Sequence, residues 1–136
     1  MEIITEKIFI VDDEPSLQYF YKKILEFNGF EVAGIAANGG EAINMFKSFS
    51  NKPKVILMDH RMPVKTGIEA AIEILQIDKR VKIIFLSADV SIKEEAYSIG
   101  AFSFREKPFT INDLIYEINK ALECYNATCL INSSKE

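Results

Sequence analysis

The sequence predicts an α/β fold in which helices cover both faces of a five-stranded parallel sheet. Two observations lead to this fold class. Short β-rich segments alternate five times with longer amphipathic segments along the 136 residues, which is the pattern of consecutive βα units. The strand segments are apolar almost throughout, as expected for strands that are buried on both faces. The expected architecture is a doubly wound, three-layer sandwich with five helices.

The five predicted strands are short apolar runs that end at polar residues or breakers. They are Lys7–Val11, Phe30–Ala36, Val55–Met58, Val81–Leu86 and Phe102–Arg105. A doubly wound sheet of this size takes the flavodoxin-like strand order 2-1-3-4-5. This order places the first and third strands side by side.

The first helix begins at Pro15, because proline is favoured at the first helical position. It ends at Asn28 and Gly29, which are typical of a helix C-terminus. Its predicted inward residues recur at helical spacing. They are Leu17, Phe20, Tyr21, Ile24 and Leu25.

The other four helices follow from the same periodicity. The second runs from about Gly40 to Phe49, the third carries an apolar face, the fourth spans Ser91–Ile99, and the fifth begins near Ile111. The third helix is predicted to turn Ile68, Ala71, Ile72 and Leu75 inward. The stripe of the fifth helix comprises Ile111, Leu114, Ile115, Ile118, Leu122 and Tyr125. Periodicity is lost after Tyr125, so we expect one domain over residues 1–125 and a tail or linker start over residues 126–136.

Composition and charge exclude several classes of protein. Apolar residues make up 49% of the chain and charged residues 26%, so disorder is not expected. The net charge of −4 argues against direct nucleic acid binding. No apolar run approaches the ~20 residues that a membrane helix needs. Because Met1–Ile3 leads into a polar stretch and Cys124 and Cys129 form no disulfide framework, we expect a cytoplasmic protein.

Polar side chains follow four of the predicted strands. Asp12 and Asp13 follow the first, Asp59 the third, Ser87 the fourth and Lys107 the fifth. The carboxyl ends of parallel strands share one edge of the sheet, and ligands bind there at the switch point. Separately, Asp13 could cap the first helix and Asp59 could be a turn residue. The convergence of four strand ends favours a shared site instead.

The residue types at this edge indicate phosphoryl transfer. Clustered carboxylates repel one another unless a proton or a cation lies between them. An open site with few oxygen ligands suits Mg²⁺ better than a closed Ca²⁺ cage. A carboxylate beside a divalent cation, with a hydroxyl and an ammonium group nearby, is the arrangement that phosphorylation of an aspartate needs.

Four short motifs connect these residues to a known family. They are Val11-Asp12-Asp13-Glu14-Pro15, Ile56-Leu57-Met58-Asp59-His60-Arg61-Met62-Pro63 with Gly67, Leu86-Ser87-Ala88, and Lys107-Pro108-Phe109. In their order and spacing, the chain resembles the receiver domain of two-component response regulators over residues 7 to about 125. Each motif alone is weak, whereas the set is specific.

The resemblance implies a phosphoacceptor and a metal site. Asp59 is the implied phosphoacceptor, and the implied metal is Mg²⁺ or Mn²⁺. Asp13 would bind the metal directly, and Asp12 would act largely through water. Asp59 and the main-chain carbonyl of Arg61 would complete the protein ligands. His60 is not expected to act in catalysis, because adjacent residues at a strand end point in different directions.

The resemblance also implies the groups that bind the phosphoryl oxygens and transmit the change. Ser87, where the family commonly has threonine, would donate a hydrogen bond, and Lys107 would pair with the phosphoryl group. Phe104 occupies the switch position, where tyrosine is common, so switching would depend on packing alone. Arg61 and Asp89 lie two residues beyond site residues, and we expect them to pair across the mouth of the site and to slow dephosphorylation.

The leading functional hypothesis is a signalling switch rather than an enzyme. A sensor histidine kinase or a phosphotransfer protein would phosphorylate Asp59. The added charge would reorganise the face formed by helix 4, strand 5 and helix 5. That face would contact an effector protein or a second copy of the chain. A phosphorelay intermediate, or the N-terminal receiver of a longer regulator, remains open as an alternative.

Two further hypotheses fit less well. A phosphatase of the haloacid-dehalogenase type would carry Asp-x-Asp after the first strand, whereas this chain has Asp-Asp-Glu and no cap domain. A receiver-like binding module that no longer accepts phosphate is disfavoured by the intact acidic residues, Ser87 and Lys107.

Overall fold

The computed structural model describes the backbone of residues 5–134 and the side chains of residues 5–127. Its strands are β1 Lys7–Val11, β2 Glu31–Ala36, β3 Val55–Met58, β4 Lys82–Ser87 and β5 Ser103–Glu106. Its helices are α1 Pro15–Phe27, α2 Gly39–Ser48, α3 Gly67–Ile77, α4 Lys93–Ser98 and α5 Ile111–Ser134. A 3₁₀ turn, Val90–Ile92, precedes α4. The five predicted strands and five predicted helices are therefore confirmed.

The strands form one parallel sheet in the order β2-β1-β3-β4-β5, which confirms the predicted topology. In the register of β1 and β3, Val11 lies opposite Met58. The residues that follow them, Asp12 and Asp59, therefore leave the sheet side by side.

Two apolar layers enclose the sheet. One lies under α2, α3 and α4 and includes Phe9, Phe46, Phe85 and the ring of Phe104. The other lies under α1 and α5 and includes residues such as Leu25. Burial of a large apolar side chain stabilises a fold by roughly 1.5–3 kcal/mol. These layers hold the strand ends, and hence the polar residues after them, in fixed positions.

Some predicted inward faces are wrong. Phe20 in α1, Ile72 in α3 and Ile111 in α5 are exposed, whereas Ile74 is fully buried. The sequence of α3, Gly67–Ile77, is apolar around most of its circumference. Periodicity alone therefore does not select the face that packs on the sheet.

The last helix is longer than periodicity predicts, because α5 continues beyond Tyr125 to Ser134. Cys124 lies in this helix and is half-buried. The side chain of Cys129 and the start of the chain at Met1–Ile3 lie outside the described residues. None of the helices within the described part of the chain is long and apolar enough to cross a membrane.

Candidate functional site

The three predicted acidic residues meet at the carboxyl edge of β1 and β3. The Asp12 N–H donates to the carbonyl of Ala36 over 3.0 Å, and the Asp59 N–H donates to that of Val11 over 2.9 Å. These bonds continue the sheet ladder by one residue and fix both backbones. One carboxylate oxygen from each of Asp12, Asp13 and Asp59 lies within 4.8 Å of the others.

This donor set fits a small divalent cation. Mg²⁺ binds oxygen at 2.0–2.1 Å, so its protein ligands lie no more than about 4.2 Å apart. The carboxylates, within 4.8 Å of one another, need to approach by only about half an ångström to bind one ion. Asp12 is buried, Asp59 is half-buried and Asp13 is exposed. The site therefore opens to water on one side, as an ion that retains several waters requires.

Burial and mutual repulsion oppose ionisation of the cluster. Burial, and then the charges of Asp59 and Asp13, raise the pKa of Asp12 from 3.8 to about 6. Burial also raises the pKa of Asp59, and the nearby Lys107 ammonium is the largest opposing influence. Lys107 Nζ lies 3.8 Å from Asp12 Oδ2. The Lys107 ammonium group therefore lies beside the acidic cluster, as the sequence predicts.

Local hydrogen bonds hold Asp12 and Asp59 in place. Glu14 N–H donates to Asp12 Oδ1 over 2.9 Å, and Gln18 Nε2 donates to the Asp12 carbonyl over 2.6 Å. His60 N–H donates to Asp59 Oδ1 over 2.9 Å. The alternative role of Asp13 as a helix cap is absent, because Glu14 is the N-cap residue of α1 and makes no side-chain cap bond.

The loop after β3 depends on a glycine and contains a strained residue. A Cβ atom at Gly67 would lie 2.2 Å from the Asp59 carbonyl oxygen, so only glycine fits there. Lys65 N–H donates to the Pro63 carbonyl over 2.8 Å, and Val64 between them has a φ of 69°. This conformation is a classic γ-turn, which is rare for a β-branched residue.

The imidazole of His60 supports this loop and makes no bond to the Asp59 carboxylate among the described contacts, in contrast to the His60 N–H. Its Nδ1 accepts a long, 3.4 Å bond from the Ile68 N–H at the start of α3. Its carbonyl accepts from the Gly67 N–H over 2.9 Å. The structure thus gives His60 a role in anchoring α3.

A pocket of about 250 Å³ lies beside Asp59. The side chains and backbone that line it belong to Asp59, Arg61, Ser87, Ala88, Asp89 and Lys107. This volume is several times that of a water molecule, ~30 Å³. A phosphoryl group on Asp59 would therefore fit between the predicted hydroxyl and ammonium groups.

An ion pair spans the mouth of this pocket. Arg61 Nη2 lies 3.3 Å from Asp89 Oδ2, as the sequence predicts. Asp89 Oδ1 also accepts from the N–H and the hydroxyl of Ser91, and these bonds lower the pKa of Asp89. The predicted helix Ser91–Ile99 is therefore divided: Asp89 caps the 3₁₀ turn Val90–Ile92, and α4 begins only at Lys93. Ser87 Oγ accepts from the Asp89 N–H over 3.0 Å.

The predicted switch residue faces inward. Phe104 is 9% exposed and packs in the layer under α2, α3 and α4. The Lys107–Pro108 peptide bond after β5 is cis. Sequence reasoning missed one contact here: the hydroxyl of Tyr97 in α4 accepts a bond from the Phe104 N–H over 3.1 Å. The aromatic residue in α4 was the only sequence signal for it.

Comparison with known proteins agrees with the geometry. Residues 8–119 match the response regulator receiver domain. The chain is 40% identical over 121 residues to the chemotaxis protein CheY of Bacillus subtilis, covering 88% of this chain and 99% of that protein.

Two solved structures are also similar. A CheY-like receiver domain protein from Methanospirillum hungatei has a TM-score of 0.85 and 26% identity, covering 92% of this chain and 99% of the other. The CheX–CheY–BeF3–Mg²⁺ complex from Borrelia burgdorferi has a TM-score of 0.83 and 25% identity, covering 88% of this chain and 90% of the other. The acidic cluster is typical of the magnesium site of such receivers.

Proposed function

Since this chain belongs to the response regulator receiver domain family, we propose that Asp59 accepts a phosphoryl group from a phosphohistidine donor. At a coarser level, the chain is a CheY-like receiver of two-component signalling, a signalling switch rather than a catalytic enzyme. One observation carries the finer proposal. The Asp59 carboxylate lies between two further carboxylates and a pocket shared with Ser87 and Lys107.

In the transfer, an Asp59 oxygen attacks phosphorus and the bond from phosphorus to the donor imidazole nitrogen breaks. The nitrogen keeps the electron pair, and the product is an acyl phosphate. The reaction depends mainly on positioning and on neutralising charge. Lys107 pairs with the phosphoryl oxygens, and the Ser87 hydroxyl donates a hydrogen bond to one of them.

The proposed metal is Mg²⁺ or Mn²⁺, held by Asp12, Asp13, Asp59 and the main-chain carbonyl of Arg61. When bound, it neutralises charge on the carboxylates and on the transferring group. Crowding of the three carboxylates and the raised pKa of Asp12 support a cation here. The Mg²⁺ in the B. burgdorferi CheY complex supports the same assignment.

The proposed output is a change of protein contacts on α4, β5 and α5. Ser87 and Phe104 form the switch, and the Arg61–Asp89 pair restricts water at the acyl phosphate.

The upstream partner is a sensor histidine kinase or a phosphotransfer protein. The downstream partner is an effector protein or a second copy, acting in the cytoplasm. The B. burgdorferi CheY is seen with a protein partner, CheX. We place the end of the receiver near Tyr125.

Phosphorylation by acetyl phosphate tests the proposal directly. In the presence of Mg²⁺, the wild type should gain one phosphoryl group that is stable to acid and labile to base. Asp59→Asn should gain none, because the amide does not attack phosphorus. Asp78→Asn is a matched control, since Asp78 lies at the far end of α3 and pairs with Arg80.

Labelling of Asp59→Asn to the same extent as the wild type would show that another residue is the acceptor. Absence of labelling in the wild type, with acetyl phosphate and with a phosphohistidine donor, would overturn the function itself.

A further inference from the structure

The hydroxyl of Tyr97 occupies the open edge of the sheet. The sheet ends with β5, and an edge strand has N–H groups that no strand can pair. Lys107 N–H donates toward β4, to the Ser87 carbonyl. Because successive N–H groups of a strand point to opposite sides, the Phe104 N–H, three positions earlier, points outward. It donates to Tyr97 Oη over 3.1 Å.

The helix that carries Tyr97 covers the Phe104 ring. Ile92 and Ala96 belong to the same apolar layer as that ring. The helix α4 has only six residues, and so short a helix has little stability of its own. Its position therefore depends on its contacts with β5. The hydrogen bond from the Phe104 N–H to the Tyr97 hydroxyl is one of these contacts.

The other end of this segment is attached to the phosphoryl pocket. Ser87 Oγ accepts from the Asp89 N–H over 3.0 Å, and Asp89 Oδ1 accepts from the Ser91 N–H over 3.1 Å. Movement of Ser87 toward a phosphoryl group therefore displaces the turn that precedes α4. The Tyr97 bond meanwhile holds the end of α4 to β5.

We propose that Tyr97 is a positioning residue for the switch, whose hydroxyl holds α4 closed over the inward Phe104 ring. It supplies, from α4, a hydroxyl group that Phe104 does not have. This inference rests on the proposed function and adds a residue to it. Because the closed α4 and the inward ring form one packed arrangement, the bond stabilises that arrangement before phosphorylation. The loss of one neutral hydrogen bond changes such an equilibrium about five-fold.

The test is Tyr97→Phe in the full chain, which removes one oxygen atom. Tyr97 is 45% exposed, so the variant should fold. Hydrogen exchange of the Phe104 amide, followed by NMR without a phosphoryl donor, should accelerate about five-fold. Tyr116→Phe is the matched control, because Tyr116 is 55% exposed on α5. It should leave this amide unchanged.

A second measurement separates a switch role from a purely local one. Beryllium trifluoride with Mg²⁺ mimics a phosphoryl group on aspartate. In the proposed switch, the phosphoryl group and its mimic draw Ser87 inward and so favour the closed α4 with the Phe104 ring inward. By linkage, Tyr97→Phe, which destabilises that arrangement, should weaken binding of the mimic by up to about five-fold. Unchanged Phe104 exchange would overturn the proposed bond, and faster exchange with unchanged affinity would overturn its coupling to the site. Failure of the wild type to bind beryllium trifluoride would instead refute the proposed function, while the exchange data still report on the bond.

Discussion

Replacing Asp12 with asparagine should stabilise the metal-free protein near neutral pH. Asp12 is 2% exposed, and burial is the main reason that its pKa rises from 3.8 to about 6. Each pKa unit corresponds to about 1.4 kcal/mol. The shift of about two units therefore destabilises the folded state by about 3 kcal/mol above pH 6. Asparagine keeps an oxygen for the Glu14 N–H and carries no charge.

The pH dependence follows from the sign of the shift. A carboxyl group with a raised folded-state pKa binds more protons in the folded state. Its destabilising effect is therefore absent below the unfolded-state pKa of 3.8 and develops as the pH rises toward about 6. We expect Asp12→Asn to exceed the wild type in melting temperature by roughly 10 °C at pH 7, and by little at pH 4.

Thermal unfolding in EDTA, followed by circular dichroism at both pH values, is the assay. Asp13→Asn is the control, because the exposed Asp13 carboxylate contributes repulsion without burial, so its effect should be smaller. Mg²⁺ should raise the melting temperature of the wild type more than that of Asp12→Asn. An equal difference at pH 4 and pH 7, or none at pH 7, would refute the assignment of the destabilisation to ionised Asp12.

Three further predictions concern the phosphorylated protein. Removing Mg²⁺ with EDTA should abolish labelling of Asp59 by acetyl phosphate, and persistent labelling would exclude a metal requirement. The double variant Arg61→Ala/Asp89→Ser should shorten the lifetime of the acyl phosphate by up to about five-fold, the range of an exposed ion pair. If the radiolabelled phosphoryl group were lost at the wild-type rate, the Arg61–Asp89 pair would not restrict water at the acyl phosphate. Phe104→Ala should destabilise the fold by about 3 kcal/mol and should reduce the phosphorylation-dependent NMR shifts of α4 and β5. If the NMR shifts equalled those of the wild type, the Phe104 ring would not transmit the effect of phosphorylation to α4 and β5.

The site was predictable where strand ends determine position. Asp12 and Asp59 follow strands whose apolar runs are unambiguous, and parallel register brings those ends together. Lys107 and Ser87 follow from the same rule on β4 and β5. Arg61 and Asp89 were predicted to pair because each lies two residues beyond a site residue, and the pair is present.

Features that depend on tertiary packing were not predictable. The inward face of α3 is one case, because both Ile72 and Ile74 suit an apolar face and only contact with the sheet distinguishes them. The cap before α4 is another, since Asp89 and Ser91 are both good caps. The hydrogen bond between Tyr97 and the Phe104 N–H joins α4 and β5, and no local sequence pattern predicts that these two residues come together.

Lys107 compensates the buried negative charge of the acidic cluster, and it is also the group that would pair with a phosphoryl group on Asp59. Its ammonium group lies 3.8 Å from Asp12 Oδ2 and opposes part of the rise that burial causes in the pKa of both Asp12 and Asp59. A phosphoryl group on Asp59 competes for this cation, because it adds up to two negative charges. The buried Asp12 carboxylate would then lose part of the positive charge that compensates its negative charge. A bound divalent cation restores it, so we expect metal and phosphoryl group to favour one another's binding. Because such coupling is reciprocal, beryllium trifluoride should raise the Mg²⁺ affinity of the wild type, and it should do so less in Asp12→Asn, where no buried charge at position 12 needs compensation.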